Sequence, residues 1–158
     1  MSPLMQVILG LNFLGGGAVG IISSASLLLS PENVYVFKYG VLVRGEVLIG
    51  FTLFFSLFLV SIATGVALIK KRTSSLYWAC GLLLLQTPYI ESSFINYWFG
   101  SGGLLRVWSD GNIYFGFGGD FALDHLAGNG DSKYGINFFS LAVLGYLLRA
   151  IQVNRKFT

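Results

Sequence analysis

One cysteine, one histidine and three prolines occur in 158 residues, and only 11% of the side chains are charged. The lone thiol, Cys80, stands in an apolar run, so one protomer forms no internal disulfide, no Cys-x-x-Cys redox pair and no thiolate zinc site. A single His125 denies the chain the two axial ligands of a bis-histidine haem, and no cofactor is expected. No Asn-x-Ser/Thr sequon occurs, which with the missing cysteine pairs fits a bacterial inner membrane. What fills the chain instead is apolar: 54% of residues, with a mean hydropathy of +0.72, more than a soluble fold can cover.

Crossing about 30 Å of hydrocarbon takes roughly 17 to 25 apolar residues. Four stretches qualify, at about 4–29, 47–69, 75–98 and 135–151, leaving far-side segments 30–46 and 99–134. The first lacks the basic start and small-residue cleavage site of a signal peptide and reads as a retained helix. The third contains Pro88 and Glu91 and is expected to kink. The fourth is short, with Arg149 near its end able to snorkel into headgroups. The expectation is an all-α membrane protein, a four-transmembrane-helix bundle in a single domain, with a small hairpin-containing cap on the far side.

Charge sets the orientation. With Lys70, Lys71 and Arg72 in the cytoplasm, Arg149, Arg155 and Lys156 fall there too, so both termini are cytoplasmic. The far side holds Lys38, Arg44, Arg106 and Lys133 against Glu32, Glu46, Glu91, Asp110, Asp120, Asp124 and Asp131. That is a net of minus three, and six cations inside return the total of +3. The basic pI of 9.1 is therefore topological. Cations in two short juxtamembrane clusters are no nucleic-acid face, and no nucleic-acid partner is expected.

On the far side, Val34–Val43 is rich in β-formers around Gly40 and reads as a short hairpin. Leu104–Trp108 and Ile113–Phe117 flank Ser109-Asp-Gly-Asn112, an Asp-Gly turn that predicts a second. The two are expected to pair into a cap, with Trp98, Trp108, Tyr114, Phe115 and Phe117 at headgroup level. Asp120 is expected to cap a short helix, Phe121–Ala127, stopped by Gly128. The layout of four helices with a short first and a long second outer segment resembles tetraspanins in outline, without that family's Cys-Cys-Gly motif or its loop disulfides.

Three groups of residues are candidates for chemistry or contact. Glu91, with Gln86, Thr87 and the kink at Pro88, gathers polar groups where a proton, cation or lipid headgroup could bind, and Arg44 or Arg106 could pair with the carboxylate. Asp120, Asp124, His125 and Asp131 supply possible metal ligands but match no loop spacing, and a solvated turn explains them as well. Gly116, Gly118 and Gly119 lack the strand-and-helix context of a phosphate cradle. In the first helix Asn12, Gly16, Gly20 and Ser24 form a small-residue stripe, answered by Ser61 and Gly65 in the second, and are expected to pack helix on helix.

The function expected from these features is that of a non-catalytic integral membrane subunit or accessory protein. It would dock in the lipid bilayer to itself, as a homo-oligomer, or to other membrane subunits. The alternative is a small oligomeric channel or transporter with Asn12, Gln86, Thr87 and Glu91 along one path. An intramembrane enzyme comes third, since only Glu91, Glu46 and the Asp120–Asp131 group could supply its acids.

Overall fold

Uncharged apolar runs become helices, and two do so over a length that matches a bilayer. The computed structural model describes residues 1–29, 41–92, 95–124 and 132–155. Helix α1 is Pro3–Leu29 and α2 is Val41–Ile69. Within them Pro3–Ser26 and Phe51–Ile69 are long and apolar enough to cross a membrane. Helix α2 begins earlier than expected and takes in Val41–Val43, which the sequence places in the first hairpin; the rest of that hairpin, at 34–40, lies outside the described residues. At its far end the Lys71 N–H donates to Leu68 O and the Arg72 N–H to Ala67 O, a Schellman closure with Lys71 at φ 55°.

The third and fourth expected spans do not form. Helix α3, Ser74–Gln86, stops before Pro88, which has no N–H to continue the ladder; Thr87 turns its hydroxyl back to Leu83 O at 2.8 Å. At 13 residues α3 is about 20 Å long, too short to span. Beyond it the β-branched and aromatic residues take extended backbone as β1, Pro88–Glu91, and β2, Asn96–Trp108. Gly135–Asn137, expected to open the last span, belong to β4, Lys133–Asn137, and α4 follows at Phe138–Arg155. The architecture among the described residues is thus four helices with a four-stranded antiparallel sheet, an α/β arrangement rather than a four-helix bundle.

The Asp-Gly hairpin forms and runs well past its expected ends. Strand β3 is Ile113–Asp124, and it pairs with β2 from Val107↔Ile113 to Asn96↔Asp124. Gly111 closes the turn at φ +85°, a conformation glycine adopts without a Cβ penalty. The helix expected from Asp120 is absent over Phe121–Asp124, because those residues continue the ladder opposite Phe99–Asn96; 125–128 lies outside the described residues.

Sheet order is β1-β4-β2-β3. Strand β4 pairs with β1 through Tyr89↔Gly135 and with β2 through Trp108↔Gly135, while Ile90↔Tyr97 joins β1 to β2 at the hairpin's base. These three strands therefore close on themselves, with Tyr89 enclosed and 1% exposed. The other face of the hairpin meets the helices. Phe99 and Phe121 stack on Phe54 of α2, with ring centroids 6.0 and 4.5 Å away, and Phe58 lies 5.3 Å from Phe99. Packing among these rings fixes the hairpin to α2.

Candidate functional site

Glycine decides how close the hairpin can come to α1. Strand β2 carries Gly100-Ser-Gly-Gly103 and β3 carries Gly116-Phe-Gly-Gly119, two copies of one pattern that lie opposite each other, Gly102 against Gly118. Gly16, at the middle of α1, touches the hairpin backbone: an added Cβ would stand 1.9 Å from the Gly102 nitrogen. Gly119 likewise meets the Gly20 backbone. Strand glycines permit such close backbone approach. Asn12 completes the contact by accepting the Gly103 N–H at 2.8 Å, and Gly102 takes φ +103° beneath it.

The small-residue stripe of α1 is thus divided between two partners. Gly16 meets the hairpin rather than a helix, and Gly20 meets both Gly119 and the Phe58 ring of α2. Gly65 lies against the Gly10 carbonyl, and the Ser61 hydroxyl reaches Phe13 O at 3.1 Å and Ser101 Oγ at 2.7 Å, a true helix–helix contact with the hairpin joined to it. Ser24 donates within its own helix to Gly20 O. Gly116, Gly118 and Gly119 are residues of strand β3. The doubled Gly-x-Gly-Gly pattern was the sequence signal for this contact.

On the opposite face of the hairpin a cation is held among aromatic rings. Arg106 donates from Nη2 to Asp120 Oδ1 at 2.6 Å, and its guanidinium lies 4.2 Å from the centre of the Tyr89 ring and 5.3 Å from that of Tyr114. Such stacking suits a planar delocalised cation. The Tyr89 hydroxyl points to Phe99 O, and burial pushes its pKa well above the tyrosine range, with the Arg106 charge opposing. At the hairpin turn Asp110 accepts the Asn112 N–H and pairs with Lys133 at 3.1 Å; these two partners hold its carboxyl below the usual range.

The polar residues expected along one path are dispersed. Asn12 is bonded into the hairpin. Gln86 is 1% exposed at the end of α3 and accepts from Ser140 Oγ, which accepts in turn from Asn137 Nδ2 at 2.8 Å. Asn137 also caps α4, its Oδ1 accepting from Ser140 N and from Leu105 N. Thr87 is bonded within its own turn. Glu91 is no intramembrane helix residue: it is exposed at the end of β1, in register with Lys133 and Asn96. Arg106, one of its expected partners, is paired with Asp120 instead.

No metal-holding group of three such side chains exists among the described residues. Asp120 is engaged by Arg106, while His125 and Asp131 lie outside the described residues, as does the side chain of Asp124.

The most extensive chemical feature is the outer surface. Leu4, Ile8, Leu11 and Ile22 on α1 are 50–70% exposed, and α2, α3 and α4 add Leu53, Trp78 and Leu148 among others. Strand β3 contributes Ile113, Phe115 and Phe117, with Phe115 at 82%. Apolar surface on this scale marks a membrane or protein contact. The chain matches no family model, no curated protein and no solved structure.

Proposed function

We propose that the chain is a non-catalytic integral membrane subunit or accessory protein, held in the bilayer by α1 and α2 and docking through β3. The apolar side chains exposed on all four helices carry this reading. Only a third of each membrane-length segment is fully buried inside the chain, which leaves side chains such as Leu4, Ile8, Leu11 and Leu53 for lipid. Charge fits the same frame. Gln86 at the end of α3 bonds Ser140 in the first turn of α4, so the two helices run antiparallel. Arg149 and Arg155 then lie on the side of Lys70, Lys71 and Arg72, the cytoplasmic side in a bacterial inner membrane, and the N-terminus joins them there.

Docking follows from depth. Because Gly16 at the middle of α1 touches Gly102, the hairpin lies level with the centre of a membrane-crossing helix. Among the described residues strand β3 has β2 as its strand partner and ends the sheet order. An open edge is not tolerated in lipid, because its N–H and C=O groups find no water. A second copy or a larger membrane subunit covering β3 and the exposed Phe115 and Phe117 resolves this. For the channel alternative, Asn12, Gln86 and Thr87 are bonded inside the protein, so docking is the better supported reading.

Two measurements test the proposal. Carbonate extraction of native membranes should leave the chain in the pellet. Mild-detergent purification, with the tag after Thr158, should give a complex that Phe115→Arg with Phe117→Arg breaks down. A single-chain mass that these changes do not alter refutes docking through β3. Ion flux abolished by Glu91→Gln would revive the channel.

A further inference from the structure

A groove of about 350 Å³ runs along α2 to its cytoplasmic end, which puts it at the low end of small-ligand sites, roughly 300–1,000 Å³. Val60, Ala63, Thr64 and Ala67 line its length at helical spacing, one face of about two turns. Arg72, Ser74 and Trp78 line the rest of the groove. The occupant this shape describes is amphiphilic: a hydrocarbon chain over the small side chains, an anion on Arg72, and an indole at the boundary, where Trp78 is 63% exposed.

Local backbone adds an independent pointer. Lys71 occupies the left-handed position that ends α2, a place where glycine is the usual residue. A lysine there places a third side-chain charge between those of Lys70 and Arg72 at the cost of backbone strain, and strain of this kind collects at functional positions. No side chain caps α3 at Thr73, so the positive end of that helix faces the same region.

We propose that the groove binds one anionic glycerophospholipid, with an acyl chain along Val60–Ala67 and its phosphate on Arg72 in the field of Lys70 and Lys71. Charge complementarity and the apolar trough together select this occupant over a zwitterionic lipid or a free phosphate. The inference rests on the membrane reading of the preceding section.

The test is native mass spectrometry of the full chain in mild detergent, with phosphatidylglycerol, phosphatidylcholine of the same acyl chains, or glycerol phosphate added separately. One phosphatidylglycerol per chain should survive detergent removal at energies that strip phosphatidylcholine, and glycerol phosphate should leave no adduct. Arg72→Gln, which removes the charge, and Ala63→Leu, which fills an exposed position of the trough, should each lower occupancy about ten-fold while the melting temperature holds. Equal retention of the two lipids by the unaltered chain overturns the site without recourse to any variant. Adducts with glycerol phosphate alone show a free-phosphate site and overturn it as well. If both variants stay in the carbonate pellet but retain the lipid, the site fails and the membrane reading stands; if the unaltered chain is released by carbonate, both fail.

Discussion

Replacing Gly16 with alanine tests the contact on which the whole arrangement of hairpin and helices depends. The new Cβ would lie 1.9 Å from Gly102 N, 2.3 Å from the Ser101 carbonyl carbon and 2.6 Å from Gly102 Cα, all backbone atoms that no rotamer change can move. Real Cβ contacts begin above 3.0 Å, so α1 and the hairpin must separate by about 1 Å, which forfeits a quarter to a half of each dispersion contact along the seam. The same movement stretches the 2.8 Å bond from Gly103 N–H to Asn12. Overpacking of this kind costs about 3 kcal/mol, against which the alanine's better helix propensity returns at most about 1 kcal/mol. Gly81 is the internal control, since it is exposed on α3 with nothing within 4 Å of an added Cβ, and Gly81→Ala should be neutral or stabilising by about 0.5–1 kcal/mol. Denaturant-induced unfolding in detergent micelles, followed by tryptophan fluorescence, measures both. A Gly16→Ala chain as stable as its Gly81→Ala counterpart refutes the close helix–hairpin seam.

Three further outcomes are expected. Asp120→Asn leaves Arg106, whose side chain is 10% exposed, without its counter-charge, and should cost about 3 kcal/mol in the same assay. Lys71→Gly relieves the left-handed strain and should stabilise by about 1 kcal/mol while, on the lipid proposal, weakening phosphatidylglycerol retention. Tyr89 has its pKa raised on folding, chiefly by burial, so the unfolded chain loses this proton first. Its contribution is complete below the unfolded value of about 10 and declines as pH rises above it, and a pH series of melting temperatures should show an alkaline fall that Tyr89→Phe reduces.

Two things were legible in the sequence for a clear physical reason. Uncharged runs of bilayer length leave a helix as the simplest way to satisfy the backbone, and α1 and α2 contain the first two of the four expected runs. The Asp-Gly pair between strand-forming runs marked the turn of the hairpin, because glycine alone takes φ +85° there without strain. The third run misled because an apolar window does not distinguish a helix from a buried strand. Pro88 ended α3 outright, and Tyr89–Glu91 and Asn96–Trp98, the outer part of the expected third span, went into the sheet. Strand glycines weaken a propensity reading, so the strands of the hairpin run to more than twice their expected length.

Of the candidate residues, the small-residue stripe could be seen in one helix, but its partner could not. Spacing along α1 shows where a backbone can approach; only the fold shows that the approaching backbone at Gly16 is a strand and at Gly10 a helix. The same limit applied to charge. Arg106, Asp120 and Glu91 were visible as ionisable groups, but the pairing of Arg106 with Asp120 depends on β2–β3 register, and the exposure of Glu91 depends on where β1 ends. By itself the sequence determined the apolar class, the two membrane-length helices and the hairpin turn, since each follows from local composition and backbone freedom. The tertiary structure alone decided what the glycines touch, which polar groups are enclosed and which aromatic edge is left exposed, since these depend on contacts between segments up to about ninety residues apart.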